Sequence, residues 1–160
     1  MSAENEPIVE RFDEGDSEEL ESLFKTVWPT ATEYPEHWRR SRMLDSGQIR
    51  EEMKKGIRFF GIRDEGKIVG VYKAKITQDE CFGEHQSILP SRRGTGTASL
   101  MYDQFKNLAK EKGCSVNSVN VLIGQKSTLT LVEKNGFRKV GEPFEQSPGM
   151  LVQRFEKKVD

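Results

Sequence analysis

Apolar residues along the chain follow two spacings, one typical of β-strands and the other of α-helices. Strand-like alternation or short apolar blocks occur at 8–12, 57–62, 68–74, 82–89, 116–123, 137–141 and 150–156. Helical spacing occurs at 16–28, at 33–56 with a break near 45–47, at 94–112 and at 127–134. These segments predict the order β-α-α-β-β-β-α-β-α-β-β, which indicates an α+β fold with a mixed sheet.

The helix predicted at 94–112 has the clearest pattern. Counted from Ala98, its apolar residues stand at offsets 3, 4, 7, 10 and 11, which makes one continuous stripe. Gly113 follows as a C′ glycine and ends the helix. At the first helix, Asp16 and Glu19 have the spacing of a capping box. Between the last two strands, we expect a loop near 143–149.

Length, charge and composition narrow the class of protein. The chain has 160 residues, 34% hydrophobic and 32% charged, so we expect one domain over 1–160 with its core at about 7–157. A net charge of −1 argues against a nucleic-acid partner, and we interpret the arginines at 39, 40 and 42 as a solvated helix face. No apolar run approaches the roughly 20 residues of a membrane span. We therefore predict a cytoplasmic location and no membrane partner.

Few residues are available for metal or disulfide chemistry. Cys81 and Cys114 lie far apart, which favours a reduced, intracellular protein. With only two histidines, His37 and His85, we expect no metal site. Cys114 follows a helix but has no neighbouring histidine in the sequence, which disfavours it as an acyl-accepting nucleophile.

The turn before the long helix is a candidate anion site. Gly94 and Gly96 stand where a strand passes into an amphipathic helix, whose first N–H groups have no intrahelical partners. Arg93 can add a charge-assisted contact. The dinucleotide pattern GxGxxG fails at Ser99, and no segment matches the P-loop pattern GxxxxGK[ST]. The residues alone therefore predict an anion and leave its identity open.

Two sequence blocks resemble motifs of the GNAT superfamily of acyl-CoA N-acyltransferases. Residues 88–98, read Ile-Leu-Pro-Ser-Arg-Arg-Gly-Thr-Gly-Thr-Ala, resemble the coenzyme-binding motif in which an apolar residue, a spacer and proline precede [QR]xxGx[GA]. Residues 132–137, read Val-Glu-Lys-Asn-Gly-Phe, resemble the downstream YEKxGF segment. The predicted element order agrees with the family from Ile8 to Glu156. The resemblance implies a three-layer domain whose mixed, splayed central sheet is flanked by helices.

The resemblance also implies a cofactor and a reaction. An N-acetyltransferase of this kind moves an acetyl group from acetyl-CoA to a primary amine by direct attack in a ternary complex, and the amine belongs to a small molecule or a protein. Main chain near Ile88 and Leu89 is implied to pair with the pantetheine arm. The implied pyrophosphate-binding residues are Arg93, Gly94, Thr95, Gly96, Thr97 and Ala98. The acceptor amine is left open, and a homodimer is compatible with the family.

Attack by an amine requires removal of a proton. A lysine-like amine has a pKa near 10.4, so its neutral form at pH 7 costs about 4–5 kcal/mol. The family often keeps a base on the strand before Ile88, and Glu84 is our candidate, with His85 and Glu80 as alternatives. Simple alternation predicts that Glu84 shares a face with Gln86 and Ile88, and that His85 lies on the other.

The second block departs from the family at Val132. Many members have tyrosine there, credited with protonating the leaving thiolate, which valine cannot do. We name no general acid, although Tyr72, Tyr102, Thr128 and Thr130 carry suitable hydroxyls. General acid catalysis is worth roughly 10²–10⁴-fold, so its loss predicts a slower enzyme. The alternative hypothesis is a weak or inactive coenzyme-binding or scaffolding module.

Overall fold

A computed structural model describes residues 7–160 as one mixed sheet with helices on both faces. The sheet has seven strands in the order β1-β2-β3-β4-β5-β7-β6. Its strands are β1 (Val9–Arg11), β2 (Arg58–Asp64), β3 (Lys67–Thr77), β4 (Glu80–Ile88), β5 (Val116–Leu122), β6 (Arg138–Ser147) and β7 (Met150–Lys158). The helices are α1 (Ser17–Val27), α2 (Glu36–Arg42), α3 (Ser46–Lys54), α4 (Thr97–Glu111) and α5 (Lys126–Lys134). The predicted α+β class with a mixed sheet is confirmed.

Within the described chain, β4 and β5 make the one parallel pair of the sheet. Their pairing covers only Glu80–Gly83 against Val116–Val119. Beyond Gly83 the two strands separate, while β4 stays paired with β3 and β5 stays paired with β7. The predicted splayed sheet is therefore present, and the gap opens at the centre of the sheet.

Two apolar clusters bury the two faces of the sheet. On one face, α1 and α3 pack against β2 and β3 through fully buried Phe24, Ile49 and Phe59. On the other face, α4 and α5 pack against the sheet, and the buried residues there include Met101 and Phe105 of α4. The stripe predicted on α4 is confirmed, because its residues at 101, 102, 105, 108 and 109 are all buried. A layer of helices on each face makes the three-layer arrangement.

The break predicted within 33–56 separates α2 from α3. Asp45 caps α3, because its carboxylate accepts from Gln48 N while the Gln48 side chain accepts from Asp45 N. Among residues 7–160, no helix is both long enough and apolar enough to cross a membrane.

The predicted capping box at Asp16 and Glu19 is wrong. The box is formed one turn earlier, where Asp13 and Asp16 cap a short 3₁₀ turn that precedes α1. Asp16 and Glu19 both pair with Arg63, and a Glu19 oxygen also accepts from Ile68 N. The carboxylates of Asp16 and Glu19 thus bond to partners on β2 and β3, whereas the local pattern predicted that they would cap the N-terminus of α1.

The loop expected near 143–149 is mostly strand. β6 continues to Ser147 and turns tightly at Pro148 and Gly149 into β7. Pro143 lies within β6, at a place where the pairing register with β7 shifts. Because β6 is an edge strand, a missing N–H there can be tolerated, which is why proline did not end the strand.

Candidate functional site

The gap between β4 and β5 is the floor of a cleft of about 540 Å³. One end is lined by Arg93, Gly94 and Ala98 at the start of α4, and the other by Tyr34, Trp38 and Arg42 from the α1–α2 region. Strand β4 lines the middle with residues 82–86 and 88. The predicted anion site and the predicted base therefore open onto the same cleft.

Gly94 and Gly96 give the turn before α4 its shape. Both have positive φ angles, 75° and 87°, a region that residues with a side chain rarely adopt. Gly96 is the N-cap of α4, and no side chain caps the helix there. The first N–H groups of a 15-residue helix are thus available at one end of the cleft. This arrangement fits a phosphate group of a coenzyme.

Ile88 and Leu89 differ in what their main chains can offer to a ligand. Leu89 N donates to Val69 O at 2.9 Å, and Leu89 O accepts from Arg92 N at 2.8 Å. In an antiparallel pair, main-chain groups of successive residues point to opposite sides. The N–H and C=O of Ile88 therefore point away from β3, toward the gap. Of the two residues, Ile88 has the main chain that is oriented to pair with an extended ligand in the gap.

A β-bulge in β4 overturns the predicted alternation of side chains. His85 has a φ of 61°, and the β3–β4 register shifts so that Tyr72 alone faces both His85 and Gln86. As a result, Glu84 contacts Arg42 while His85 stacks on Phe24, both on the α1–α2 side. Glu84 and His85 thus share a face, contrary to the prediction.

Ile88 and its cross-strand neighbour lie on the opposite face. Ile88 pairs with Gly70, and a Cβ placed on Gly70 would meet Thr97, Ile88 and Met101. That direction is the α4 side of the sheet. Glu84 therefore does not share a face with Ile88, because the extra residue at the bulge resets the alternation.

Three cations surround the carboxylate of Glu84. Its Oε2 lies 3.0 Å from Lys75 Nζ, its Oε1 lies 3.5 Å from Arg42 Nη1, and Lys73 is its cross-strand neighbour. Burial raises the pKa of Glu84, but Lys73, Lys75 and Arg42 outweigh that effect and hold the pKa below its ordinary value. Glu84 is therefore a carboxylate at neutral pH, ready to accept a proton although weakly basic.

His85 is a buried, neutral imidazole on the wall of the cleft. Its Nε2 donates to Arg42 O at 2.9 Å, while Nδ1 is buried without a partner among residues 7–160. Burial, together with Lys73 and Arg42, holds the pKa of His85 well below its ordinary value. The ring stacks on Phe24 with centroids 4.3 Å apart and meets Trp28 edge-on.

We expect the buried His85 to make the fold sensitive to mild acid. Its pKa is lower in the folded than in the unfolded chain, so the unfolded state binds more protons once the pH falls below about 6.5. The free energy of unfolding should then fall by up to about 1.4 kcal/mol per pH unit. Urea unfolding between pH 8 and pH 5 measures this slope. His85→Gln, which cannot ionise, should flatten it, whereas His37→Gln at an exposed position should not.

Glu80, the other candidate carboxylate, has a structural role instead. It bonds to the Ser118 hydroxyl and pairs with Arg154 Nη2 at 2.6 Å. Burial raises the pKa of Glu80, and these two partners lower it further than burial raises it. Glu80 lies where β4 and β5 are still paired, and it is not among the residues that line the cleft.

Val132 lies in the core and offers no group to the cleft. It is fully buried among the apolar residues between α4, α5 and the sheet. Of the alternative hydroxyls, those of Tyr72, Tyr102 and Thr128 belong to residues that line the cleft, whereas Thr130 does not line it. Burial raises the pKa of Tyr72 and of Tyr102, so both phenols stay protonated at neutral pH.

Restoring tyrosine at position 132 should damage the fold without speeding any turnover. Because Val132 has no exposed surface, the larger Val132→Tyr side chain would overpack the core by several heavy atoms. We expect the free energy of unfolding to fall by about 1–3 kcal/mol. Denaturant unfolding measures this loss, and Val132→Ile, which adds one methylene, should lose less. A Tyr variant as stable as the wild type and faster in thiol release would contradict this prediction.

Both thiols are poor nucleophiles. Cys81 and Cys114 are free and buried. Burial raises the pKa of Cys81 to about 12, and burial together with Asp79 raises that of Cys114. Neither cysteine lines the cleft.

Sequence reasoning missed the contribution of the α1–α2 region to the site. Arg42 was assigned to a solvated face, yet it lines the cleft and its guanidinium stacks on Trp38, 4.4 Å from the ring centroid. Tyr34 OH donates to Gln125 Oε1 at 3.1 Å, which joins this region to the β5–α5 turn. The four-residue spacing from Trp38 to Arg42 was a usable signal, because it places both on one side of a helix.

Comparison with known protein families finds the same family, and comparison with solved structures finds the same fold. Residues 18–137 match the model of the Acetyltransferase (GNAT) family. No curated protein matches the chain by sequence. The GNAT-family acetyltransferase of Streptococcus pneumoniae superposes with a TM-score of 0.81 at 16% identity, over 97% of this chain and 100% of that chain.

Two further solved structures carry a coenzyme. The PaiA N-acetyltransferase of Thermoplasma acidophilum, in complex with coenzyme A, has a TM-score of 0.79 at 18% identity, over 96% of this chain and 99% of that chain. The putative acetyltransferase YncA of Salmonella typhimurium, with acetyl-CoA, has a TM-score of 0.75 at 13% identity, over 96% and 94%. At these identities the likeness concerns the fold.

Proposed function

Because this chain belongs to the GNAT acetyltransferase family, we propose that it is an N-acetyltransferase that moves an acetyl group from acetyl-CoA to a primary amine. The observation that carries the proposal is one cleft with two features. The uncapped start of α4, with Gly94 and Gly96 at positive φ, opens at one end. The carboxylate of Glu84 lies on the wall of the same cleft.

Three sets of groups in the chain can bind the coenzyme: main-chain N–H groups at the start of α4, the Arg93 side chain, and the main chain at the end of β4. Main-chain N–H groups at the start of α4 bind the pyrophosphate, at Arg93, Gly94, Thr95, Gly96, Thr97 and Ala98. Arg93 also lines the cleft, and its side chain extends toward the segment between α1 and α2, where its Nη2 lies 3.4 Å from Thr30 Oγ1. Ile88 then pairs with the pantetheine arm where β4 and β5 have separated, with Leu89 fixing the strand end. The bound coenzyme supplies a thioester whose acyl carbon an amine can attack.

Glu84 is our proposed general base. The acceptor nitrogen bonds to the acyl carbon as the carbon–sulfur bond breaks, and the amine proton passes to Glu84 directly or through water. The lowered pKa keeps Glu84 ionised at neutral pH, which supports proton acceptance but limits its strength as a base. The leaving thiolate needs no strong acid, because a thiol pKa is only about 8.5.

A second candidate function is a coenzyme-binding or scaffolding module with weak or absent turnover. The observation that favours it is Val132, which is buried in the core where many family members have a tyrosine acid. Such a module would bind coenzyme A at the α4 turn and release no thiol in the presence of amines.

Two measurements test the proposal and separate the candidates. Calorimetry with acetyl-CoA should give a dissociation constant in the micromolar range, and the absence of binding would reject both candidates. Free-thiol release is then followed with a broad panel of amines, including amino acids, polyamines and peptides. Sustained release above the hydrolysis background with any amine rejects the scaffolding module. Binding without release from the whole panel rejects the enzyme.

A further inference from the structure

The guanidinium of Arg42 has more hydrogen-bonding capacity than the described chain uses. Arg42 ends α2 and lines the cleft, with only 17% of its side chain exposed. Its Nη1 lies 3.5 Å from Glu84 Oε1, the outer limit of a hydrogen bond, and its Nε is buried with no partner among residues 7–160. A guanidinium has five N–H donors in a planar fork. Arg42 Nη2 donates to no residue in 7–160, so the Nη1–Nη2 end of the fork can serve a ligand in the cleft.

Trp38 fixes the orientation of this fork. The Arg42 guanidinium carbon lies 4.4 Å from the Trp38 ring centroid, a cation–π contact. Arg42 O also accepts from His85 Nε2, which ties the end of α2 to the bulge in β4. The charged group is thus held in place by aromatic stacking on one side and by a backbone anchor, with its N–H groups left to other partners.

Arg42 shares its one carboxylate partner, Glu84, with a second cation. Three cations, Arg42, Lys73 and Lys75, share two carboxylates, because Lys73 pairs with Glu52 at 2.7 Å and Glu84 serves the other two. His85 adds no charge at neutral pH. Glu33 adds a third carboxylate to the lining of the cleft, and it accepts from Gln125 Nε2 at 3.3 Å. Lys75 is 47% exposed and screened by solvent, whereas Arg42 is 17% exposed and has only the shared Glu84 at 3.5 Å. A carboxylate of a ligand would give Arg42 a closer anionic partner.

We propose that Arg42 binds a carboxylate of the acceptor, and that the acceptors are small amines with a carboxylate close to the amino group, as in amino acids. This inference rests on the proposed acetyl-transfer function. A carboxylate can accept two parallel hydrogen bonds from the Arg42 fork, replacing the long contact with Glu84. The neighbouring amino group then lies beside Glu84, the proposed base, at the edge of the gap.

Other amine classes fit these residues less well. A polyamine carries only positive charge and would add no anionic partner for Arg42. The cleft of about 540 Å³ must also admit the coenzyme arm, which favours a small acceptor. Trp38 and Tyr34 line the same end of the cleft and offer aromatic surface to an apolar side chain.

The experiment compares amines that differ only in the carboxylate. The pairs are L-phenylalanine with phenethylamine, L-leucine with isoamylamine, and β-alanine with ethylamine, each assayed by thiol release with acetyl-CoA. The variants are Arg42→Gln, Arg42→Lys and the matched control Arg40→Gln. Arg40 is on the same helix but points to solvent, with 70% of its side chain exposed and an ion pair to Glu36. Thermal unfolding of each variant checks that it is folded.

In the wild type, at least one carboxylate-bearing amine should exceed its partner about tenfold in kcat/KM. Arg42→Gln should raise the KM for that acid about 10- to 100-fold, with little change in the KM for the plain amine. Because Arg42 also lowers the pKa of Glu84, any effect on kcat should be similar for the two amines. Arg42→Lys should lie between the two, because it keeps the charge and loses the fork, and Arg40→Gln should behave as the wild type.

Three outcomes overturn the inference. The first is equal turnover of acids and plain amines, and the second is an equal loss in Arg40→Gln and Arg42→Gln. The third is thiol release with polyamines or peptides alone, which leaves the acetyl-transfer function standing while the carboxylate is rejected. If no amine is acetylated, L-phenylalanine is titrated by calorimetry into protein saturated with coenzyme A. Arg42-dependent binding then supports the site, and no binding rejects it.

Discussion

Gly96→Glu should abolish coenzyme binding. The new carboxylate would lie at the N-cap of α4, where the proposed site uses main-chain N–H groups and the helix dipole to hold a pyrophosphate. Two effects add, because a like charge would face the phosphates and a side chain would be forced onto a φ of 87°. We expect the dissociation constant for coenzyme A to rise at least about 100-fold, equivalent to roughly 2.7 kcal/mol or more. Calorimetry measures it.

The matched control for this substitution is Gly113→Glu. Gly113 follows the other end of α4, has a φ of 70° and, like Gly96, has open space where a side chain would begin. It therefore carries similar backbone strain without the phosphate site. Gly113→Glu should lower stability and leave coenzyme affinity within about twofold. If both variants bind as the wild type does, the turn before α4 does not hold the coenzyme.

Glu84→Gln should lower kcat by about 10²-fold, near the bottom of the range for loss of a general base. The effect should be at the low end because the surrounding cations hold the pKa of Glu84 below its ordinary value, which makes it a weak base. Steady-state thiol release measures kcat. Glu80→Gln is the control on the same strand, since Glu80 pairs with Arg154 away from the cleft. It should keep nearly full turnover.

The pH dependence of kcat/KM should also show that Glu84 has a lowered pKa. A lowered pKa means that Glu84 is already ionised throughout the neutral range, so it gives no rise between pH 6 and pH 9. The rise should instead follow the pKa of the acceptor amine and move when the acceptor is changed. A fixed limb near neutral pH that disappears in Glu84→Gln would instead assign Glu84 a raised pKa, against the ion pairs found here.

Local patterns predicted the elements of this fold well, because most of them depend on neighbouring residues. The stripe on α4 and the break before α3 follow from spacing and caps, and both are confirmed. The glycine pair before α4 marked the positive φ angles that the structure shows. The start of α1 next to Asp16 follows the pattern, but the partners of Asp16 and Glu19 do not, because Arg63 on a distant strand takes both carboxylates.

The side chains that line the cleft are positioned by tertiary contacts, which the spacing of residues along the sequence does not predict. Alternation failed in β4 because one extra residue at His85 turned Glu84 and its neighbour to the same side. Arg42 looked like a member of a basic cluster, and only the packing of α2 over the cleft separates it from Arg40. The position of a bulge and the placement of a helix depend on the whole sheet and on the helices that cover it. Local sequence patterns could therefore identify Glu84, His85 and Arg42 as candidates, but they could not predict which face or cavity each side chain lines.

The short parallel junction between β4 and β5 also bears on cooperativity. Four residue pairs join an N-terminal antiparallel half, β1 to β4, to a C-terminal one made of β5, β7 and β6. Side-chain contacts such as Tyr34 to Gln125 and His37 to Ser147 cross between the two halves. A ligand arm paired with Ile88 in the gap would act as an added strand and lengthen the seam. Coenzyme binding should therefore raise the free energy of local opening along this seam, by an amount that grows with coenzyme affinity.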